Sequence, residues 1–484
     1  MFCHFYFPLI ASLSCSSPPP GLWSKLRDGR ILSASAELVR MVQDSSGEGH
    51  SACWLQLHAD LQLVMGLEVD AEESYRQSLK MMRVSKEELR IRSSRNTGWQ
   101  ALFRRRFGTA LACFTRVMNE PGVCPRRHIE GVFGAMCVRF EFGHLHEAGD
   151  LLEEIEHQID RLSADLEHAD AWRELVQTMQ RDLAAQRALR YAPKLSDHVY
   201  WQSGRLSDPG SRLPVKKVSV EGQTFAQAPI RLPVLRGRLD FKESLSRLAM
   251  GERDAMTSLM THLDWAEANG LTVYQRTLRQ EIALACLAGD APQLAESALA
   301  HLAGEVHVGQ DHRQLEILYC LAKINQAQGR AHQSGQFYSK YALAAIHCIR
   351  ECARELAGHG HRRRPEPISD DVMARLPARY RRAYQYLLDN LKRSDLSIGE
   401  VAAEIGVTVR ALQSTFKWSL GATPSEIIRQ ERMKRIRSEL SGDDGQHGQR
   451  VLDAGSRWGV PNRSTLLNAY KRQYNEAPAE TLKG

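Results

Sequence analysis

Near its C-terminus the chain carries the same punctuation twice. Gly406, Phe416, Gly421 and Pro424 are echoed by Gly459, Tyr470, Asn475 and Pro478. The step from the first glycine to the aromatic differs by one residue, and the later steps are identical. Glycine and asparagine tolerate a left-handed backbone. Proline suits the first turn of a helix. A single pattern of this kind is common in helical proteins. Two copies with shared spacing describe two helix-turn-helix units, each a pair of short helices joined by a tight turn.

The local detail agrees. Tyr380–Leu391 has the spacing of a helix. Ser397 is placed to cap a second, Ile398–Ile405, whose buried face is Val401, Ala402 and Ile405 and which Gly406 ends. Thr408 caps a third, running through Trp418, with Leu412, Thr415 and Phe416 turned inward. In the second copy Val451–Trp458 holds the small residues Ala454 and Gly455, Gly459 makes the turn, and Asn462–Tyr474 follows. Between the copies Pro424 opens a long helix, Ser425–Leu440, which spans roughly 24 Å at about 1.5 Å per residue. A rod of that length suits two helices set about one DNA turn apart, roughly 34 Å.

Charge points the same way. The chain carries a net +7, and residues 371–484 hold 19 Lys+Arg against 13 Asp+Glu. The preceding 370 residues are almost balanced, with 45 against 44. A basic module on a near-neutral body suits a polyanionic partner, nucleic acid first. With 43% apolar and 25% charged residues, wholesale disorder, a collagen repeat and a multi-span membrane protein are excluded.

The body reads as helix after helix. Residues 34–46, 51–66, 71–92, 97–118, 127–142 and 145–190 space their apolar residues by three and four. Gly66, Ala71, Tyr75 and Ser78 share their spacing with Gly143, Ala148, Leu152 and Ile155. Such helical hairpins resemble a degenerate tetratricopeptide array. The expected class is all-α: a TPR-like regulatory domain over 1–200, a Pro/Gly-rich linker over 201–239, and a second helical region over 240–356. A basic linker over 357–373 and a double helix-turn-helix domain over 374–484 complete it. Val215–Val220 and Thr224–Ala228 flank Glu221-Gly222-Gln223 as a candidate short hairpin. Arg362–Arg364 are candidates to trail along phosphates, or simply a solvated basic linker.

The opening stretch, Met1–Ser16, is apolar but has no Lys or Arg before its apolar run, so a buried element is expected over an export signal. It is too short to span a membrane. The ten cysteines form no C-x-x-C pair and are expected as free thiols. Cys348, Cys352, His359 and His361 lie close in sequence, yet a helical cysteine face followed by a polar linker explains them better than a metal site. No metal or cofactor is expected. There is no P-loop, no dinucleotide-binding glycine motif, no H-E-x-x-H and no nucleophile elbow, so no enzyme is expected either.

The C-terminal module resembles the AraC/XylS family of transcription regulators. The resemblance spans Tyr380 to Leu482 and is carried by Leu396-Ser397-Ile398, Val401-Ala402, Gly406, Leu412, Phe416 and Gly421-Ala422-Thr423-Pro424. It continues through Arg432-Met433, Leu440, Gly459-Val460, Leu466, Tyr470 and Ala477-Pro478. Two departures stand out: the long acidic, Gly-rich loop Ser441–Arg450, and Ile436 where the family has a small residue. Family members read bases with the exposed face of the second helix in each copy. That implies Arg410, Gln413 and Ser414 in the first copy and Arg463, Ser464, Leu467 and Asn468 in the second. Arginine suits guanine, Gln and Asn suit adenine, and Leu suits a thymine methyl. Thr408, Lys417, Thr423, Lys471 and Arg472 are expected on phosphates, which position without reading. Lys434, Arg435 and Arg437 are expected on the solvated face of the rod.

Many relatives carry a β-barrel for a small effector, whereas this body is helical. A helical body of this length, the module behind it and the opening YFPLIASLSC are similar to the HrpB/HrpX group of type III secretion regulators. The resemblance implies a cytoplasmic activator working at promoter DNA with RNA polymerase. Its body would serve a homodimer or a regulatory protein, with no membrane partner. The competing reading is a helical-repeat interaction adaptor whose module no longer reads DNA.

Overall fold

The computed structural model describes residues 2–44, 48–162, 168–206, 229–303, 312–360, 375–440, 449–474 and 476–481. Every regular element among them is helical. The chain divides into two units that are discontinuous in sequence. The first is Met1–Arg83 with Gly98–Pro365, and the second is Val84–Thr97 with Glu366–Gly484. One continuous helix, Lys86–Phe103, thus contributes residues to both.

In the first unit the apolar opening stretch is a helix, Phe2–Ser14, and all 13 of its residues are buried. A helix without a polar face needs cover on every side. Leu22–Arg27, Glu48–Val64 and Pro125–Glu141 supply much of it. Phe7 stacks on Trp99 at 4.0 Å between ring centroids, and the Trp99 indole donates to Glu130 at 3.0 Å. The two matching hairpin motifs turn at Gly66 and Gly143, both with φ near +80°. Ala71, Tyr75 and Ser78 in one, and Ala148, Leu152 and Ile155 in the other, are buried at the helix contacts.

Three stretches that read as single helices are each broken. The run 71–92 stops at Met81 and restarts at Lys86, where the Ser85 hydroxyl accepts the Glu88 N–H at 3.2 Å. The run 97–118 is interrupted at Arg105, held at φ 59° with its guanidinium on Glu141 at 3.2 Å. The run 145–190 ends a first helix at Leu162 and begins another at Ala169, after His168 at φ 62° stacked on Trp23. Apolar spacing continues across such breaks because both helices face one core. Two of the breaks lie at Arg105 and His168, which make tertiary contacts, and the other at a local Ser85 cap, rather than at Gly or Pro. Helices resume at Pro233 rather than Asp240, with proline in the first turn. The last helix of this unit runs Ala331–Gly360, past the expected stop at Leu356.

A closed charge cluster lies at the centre of this unit. Arg238 binds Asp182 at 2.9 Å and Glu281 at 3.4 Å, and Lys242 binds the same two carboxylates at 3.1 and 2.8 Å. Tyr6 donates to Asp182 at 3.0 Å, and Arg238 donates to the Tyr274 hydroxyl at 2.9 Å. Burial alone would push the Glu281 carboxyl up, but Lys242 and Arg238 outweigh it and hold it well below its ordinary range.

All ten cysteines are free thiols; Cys348 and Cys352 are buried. Among the described residues no group of His, Cys, Asp or Glu is arranged to hold a metal. No described helix is long and apolar enough to cross a membrane. The candidate hairpin at 215–228, His361, Arg362–Arg364, Asn475 and most of the loop after Leu440 lie outside the described residues, as does the His359 side chain.

The second unit builds two small cores on one rod, Pro424–Leu440. Ile427 and Ile428 at its start join Leu387, Val401, Ala402, Leu412 and Phe416. Met433, Ile436 and Leu440 farther on join Ala454, Leu466 and Tyr470. Ile436, the departure from the family pattern, is buried in the second core. Trp458 packs against both cores and donates to Glu439 at 2.7 Å.

Candidate nucleic-acid interface

Both copies fold from the punctuation outward. In the first, Ile398–Glu404 is capped by Ser397, whose hydroxyl accepts the Glu400 N–H, and Val409–Leu420 by Thr408, which accepts the Ala411 N–H. In the second, Gln449–Arg457 is followed by Arg463–Tyr474, where Asn462 Oδ1 accepts from the N–H groups of Ser464 and Thr465. Gly406 and Gly459, at the two turns, have φ of 59° and 71°. Gly421 ends Val409–Leu420 at φ 70°.

The face each second helix turns away from its core has one layout. Arg410, Gln413, Ser414 and Lys417 fall at i, i+3, i+4 and i+7 of Val409–Leu420. Ser464, Leu467, Asn468 and Lys471 fall at the same steps of Arg463–Tyr474. Residues at these steps share one side of a helix. All eight are exposed except Ser414, which is half-buried. Arg463 and Arg472 flank the second stripe and are exposed too. Behind the stripes, Leu412, Phe416 and Leu420, and Leu466 and Tyr470, are buried. Thr415, expected inward, is only half-buried, and Leu420 extends the buried face instead.

Hydrogen bonds separate the polar candidates. Thr408 uses its oxygen as a cap acceptor, which leaves its hydroxyl hydrogen for an outside acceptor. Ser464 donates its hydroxyl to Asn462 at 2.7 Å. Thr423 forms a capping box: its N–H and hydroxyl both donate to Glu426, which donates back through its own N–H.

Several basic side chains support the interface from within. Arg379 donates to the carbonyls of Ile405 and Gly406 at 2.8 and 2.9 Å, closing the first turn. Arg432 reaches the carbonyls of Leu391 and Arg393 and lies against Gly459. Arg437 binds Glu476 at 2.9 Å and stacks on Tyr474 at 4.3 Å, so it belongs to the packing and not to a solvated face. Lys434 pairs with Glu431 at 2.6 Å. Sequence reading had no signal for these roles, because an arginine in a basic module looks the same whether it faces solvent or a carbonyl.

A cleft of about 310 Å³ opens between the copies, lined by Ile428, Arg429, Met433, Val460, Pro461 and Asn462 among others. Among the described residues of this unit no group of His, Cys, Asp or Glu is arranged to hold a metal. The arrangement presents two polar and basic stripes on a common rod, which suits contact with a nucleic-acid duplex.

Comparison with known proteins agrees with this geometry. A helix-turn-helix domain family matches residues 401–484. The regulatory protein HrpB of Ralstonia nicotianae is 32% identical over 489 aligned positions, covering 100% of both chains. A probable thc operon regulatory protein of Rhodococcus erythropolis is 31% identical over 140 residues, 28% of this chain and 39% of that one. The XylDLEGF operon transcriptional activator 1 of Pseudomonas putida is 25% identical over 116 residues, 24% of this chain and 34% of that one. No solved structure matches the chain.

Proposed function

The chain belongs to the AraC/XylS family of DNA-binding transcription regulators, in the group of the regulatory protein HrpB, and from that premise we propose that it is a sequence-specific activator of type III secretion genes. It acts in the cytoplasm, at promoter DNA and together with RNA polymerase. It reads two successive major grooves, with Arg410, Gln413 and Ser414 in one and Arg463, Ser464, Leu467 and Asn468 in the next. Thr408, Lys417, Lys471 and Arg472 hold phosphates; Thr423, also expected there, gives both its N–H and its hydroxyl to Glu426 and caps the rod instead. The helical first unit receives the regulatory input, through a second copy or a regulatory protein. It has no catalytic role.

The observation that carries this reading is the pair of exposed stripes with identical steps, each backed by its own buried core on one rod. Non-specific phosphate binding needs positive charge alone. It does not need Gln413 or Asn468 held at matching positions on rigid helices. The rod has 17 residues and so spans roughly 25 Å, consistent with readers about one DNA turn apart.

The test is selection from a random duplex pool with the full chain, followed by footprinting of the selected site and of a scrambled one. Two protected patches about ten base pairs apart are expected, and Arg410→Ala with Gln413→Ala should remove the first. Equal affinity for selected and scrambled duplexes would reject base reading in favour of an interaction adaptor. Loss of type III secretion transcripts on deletion tests the regulon.

A further inference from the structure

The second unit includes a segment from far upstream, Val84–Thr97. Ile91, Ser93, Ser94, Arg95, Asn96 and Thr97 in it are all buried. Its contacts with the rest of the unit include Ser419, Gly421 and Arg375. The Ser93 hydroxyl donates to the Ser419 carbonyl at 2.6 Å. The Arg90 stem lies against Gly421, so close that a Cβ there would sit 2.6 Å from Arg90 Cγ. Arg375 donates to the Ser94 hydroxyl at 3.3 Å. The charge of Lys86 also acts on Glu426, the carboxylate of the capping box that starts the rod; the Thr423 N–H bond is the larger influence there.

The Ser419 contact has a specific physical meaning. The last carbonyls of a helix lack partners within it. The residue four positions beyond Ser419 is Thr423, and its N–H is taken by Glu426. Ser93 therefore serves a carbonyl whose usual partner is engaged elsewhere. Gly421 is constrained twice, by its left-handed φ of 70° and by the Arg90 stem. The segment thus touches the end of Val409–Leu420 and the turn after it.

We propose that Val84–Thr97 is a splint for the first reading helix, with Arg90 and Ser93 as positioning residues that hold its C-terminal end. This rests on the base reading proposed above. Arg410 and Ser419 are nine residues apart on one helix, roughly 14 Å. A small tilt at the Ser419 end therefore moves the Arg410 and Gln413 side chains against the base edges, where productive geometry tolerates only about 0.5 Å. Phosphate contacts are more forgiving, since they depend mainly on charge.

The experiment uses the full chain, the selected duplex and a scrambled one. The double variant Arg90→Ala, Ser93→Ala should lose about tenfold in affinity for the selected duplex, as expected for one lost hydrogen bond plus a lost packing contact. Its affinity for the scrambled duplex and its salt dependence should not change. Arg90→Lys keeps the aliphatic stem and should stay within about twofold of the unaltered chain. Amide exchange over Lys417–Thr423, measured without DNA, should quicken in the double variant and not in Arg90→Lys. Unchanged preference for the selected duplex with unchanged exchange overturns the splint. So does a parallel fall for both duplexes, which would mean general damage. If the unaltered chain prefers no duplex, base reading fails, and the exchange measurement alone decides whether the segment holds the helix.

Discussion

The buried centre of the first unit and the two striped helices of the second put charge to opposite uses. In the first, Arg238, Lys242, Asp182 and Glu281 are almost wholly buried and neutralise each other in a closed cluster. In the second, Arg410, Lys417, Arg463, Lys471 and Arg472 stand exposed on two helices whose inner faces, Leu412, Phe416, Leu420, Leu466 and Tyr470, carry no charge. A buried charge must be matched, because leaving one unpaired costs several kcal/mol. An exposed charge costs little and stays available to a polyanion. The first unit is therefore sensitive where it is charged inside, and the second keeps the charge of its striped helices available outside.

The widest separation should come from cutting the buried cluster. Arg238→Ala leaves Asp182 and Glu281 with Lys242 alone and should cost the first unit about 3–5 kcal/mol in denaturant unfolding. The same change at Arg393, an exposed residue paired with Asp395 and Glu400, should leave unfolding almost unchanged. Comparable losses at the two sites would erase the contrast.

Acid should separate the units next. Burial, reinforced by Arg190, pushes the His198 imidazole down to about 3, and burial with Arg238 does the same for His262. Above the ordinary histidine value both the folded and unfolded forms are neutral, and stability is full. As pH falls below about 6.5 the unfolded chain binds protons that the folded chain refuses until about pH 3. Stability is lost across that window, by on the order of 2 kcal/mol per histidine between pH 7 and 5. The second unit has a single histidine in its sequence, His447. Amide exchange at pH 7 and pH 5 should show the first unit loosening while the second holds. Equal loosening would show that the buried imidazoles do not set acid sensitivity.

DNA affinity should reverse the ranking. Arg410→Ala or Gln413→Ala should each cost about 1–3 kcal/mol at the selected site and leave unfolding unchanged. Lys417→Ala is the smallest expected effect. It should reduce the salt slope of binding by about one while lowering affinity uniformly across sequences. A loss at Lys417 confined to one sequence would move it from phosphate to base.

The sequence was most informative where local rules decide structure. Ser397 and Thr408 cap the helices expected of them, and the glycines at 406 and 459 turn with positive φ. The apolar opening stretch is buried along its whole length. Residues that act across long separations were silent. Asp182, Arg238, Lys242 and Glu281 are spread over a hundred positions, and nothing local marks them as partners. Arg105 and His168 break helices through contacts to Glu141 and Trp23, which no breaker rule anticipates. The run through Val84–Thr97 has ordinary helical spacing, so its membership of the second unit was invisible. The exposed stripes stood between these extremes. Their spacing marks which side of the helix is exposed, while the base contacts proposed for them depend on a partner outside the chain.

The discontinuity of the second unit also fixes an order of events during synthesis. Val84–Thr97 leaves the ribosome well before the rest of its unit, between Glu366 and Gly484, is made. At ~5–20 residues per second that lag is on the order of tens of seconds. The same helix reaches Phe103, so its far end has partners among the early-made residues of the first unit while its near end waits. A ribosome that stops before Glu366 releases a chain with the waiting half of that helix and none of those partners to close on it. The unit that presents the two exposed stripes can close only after residues 366–484 are made.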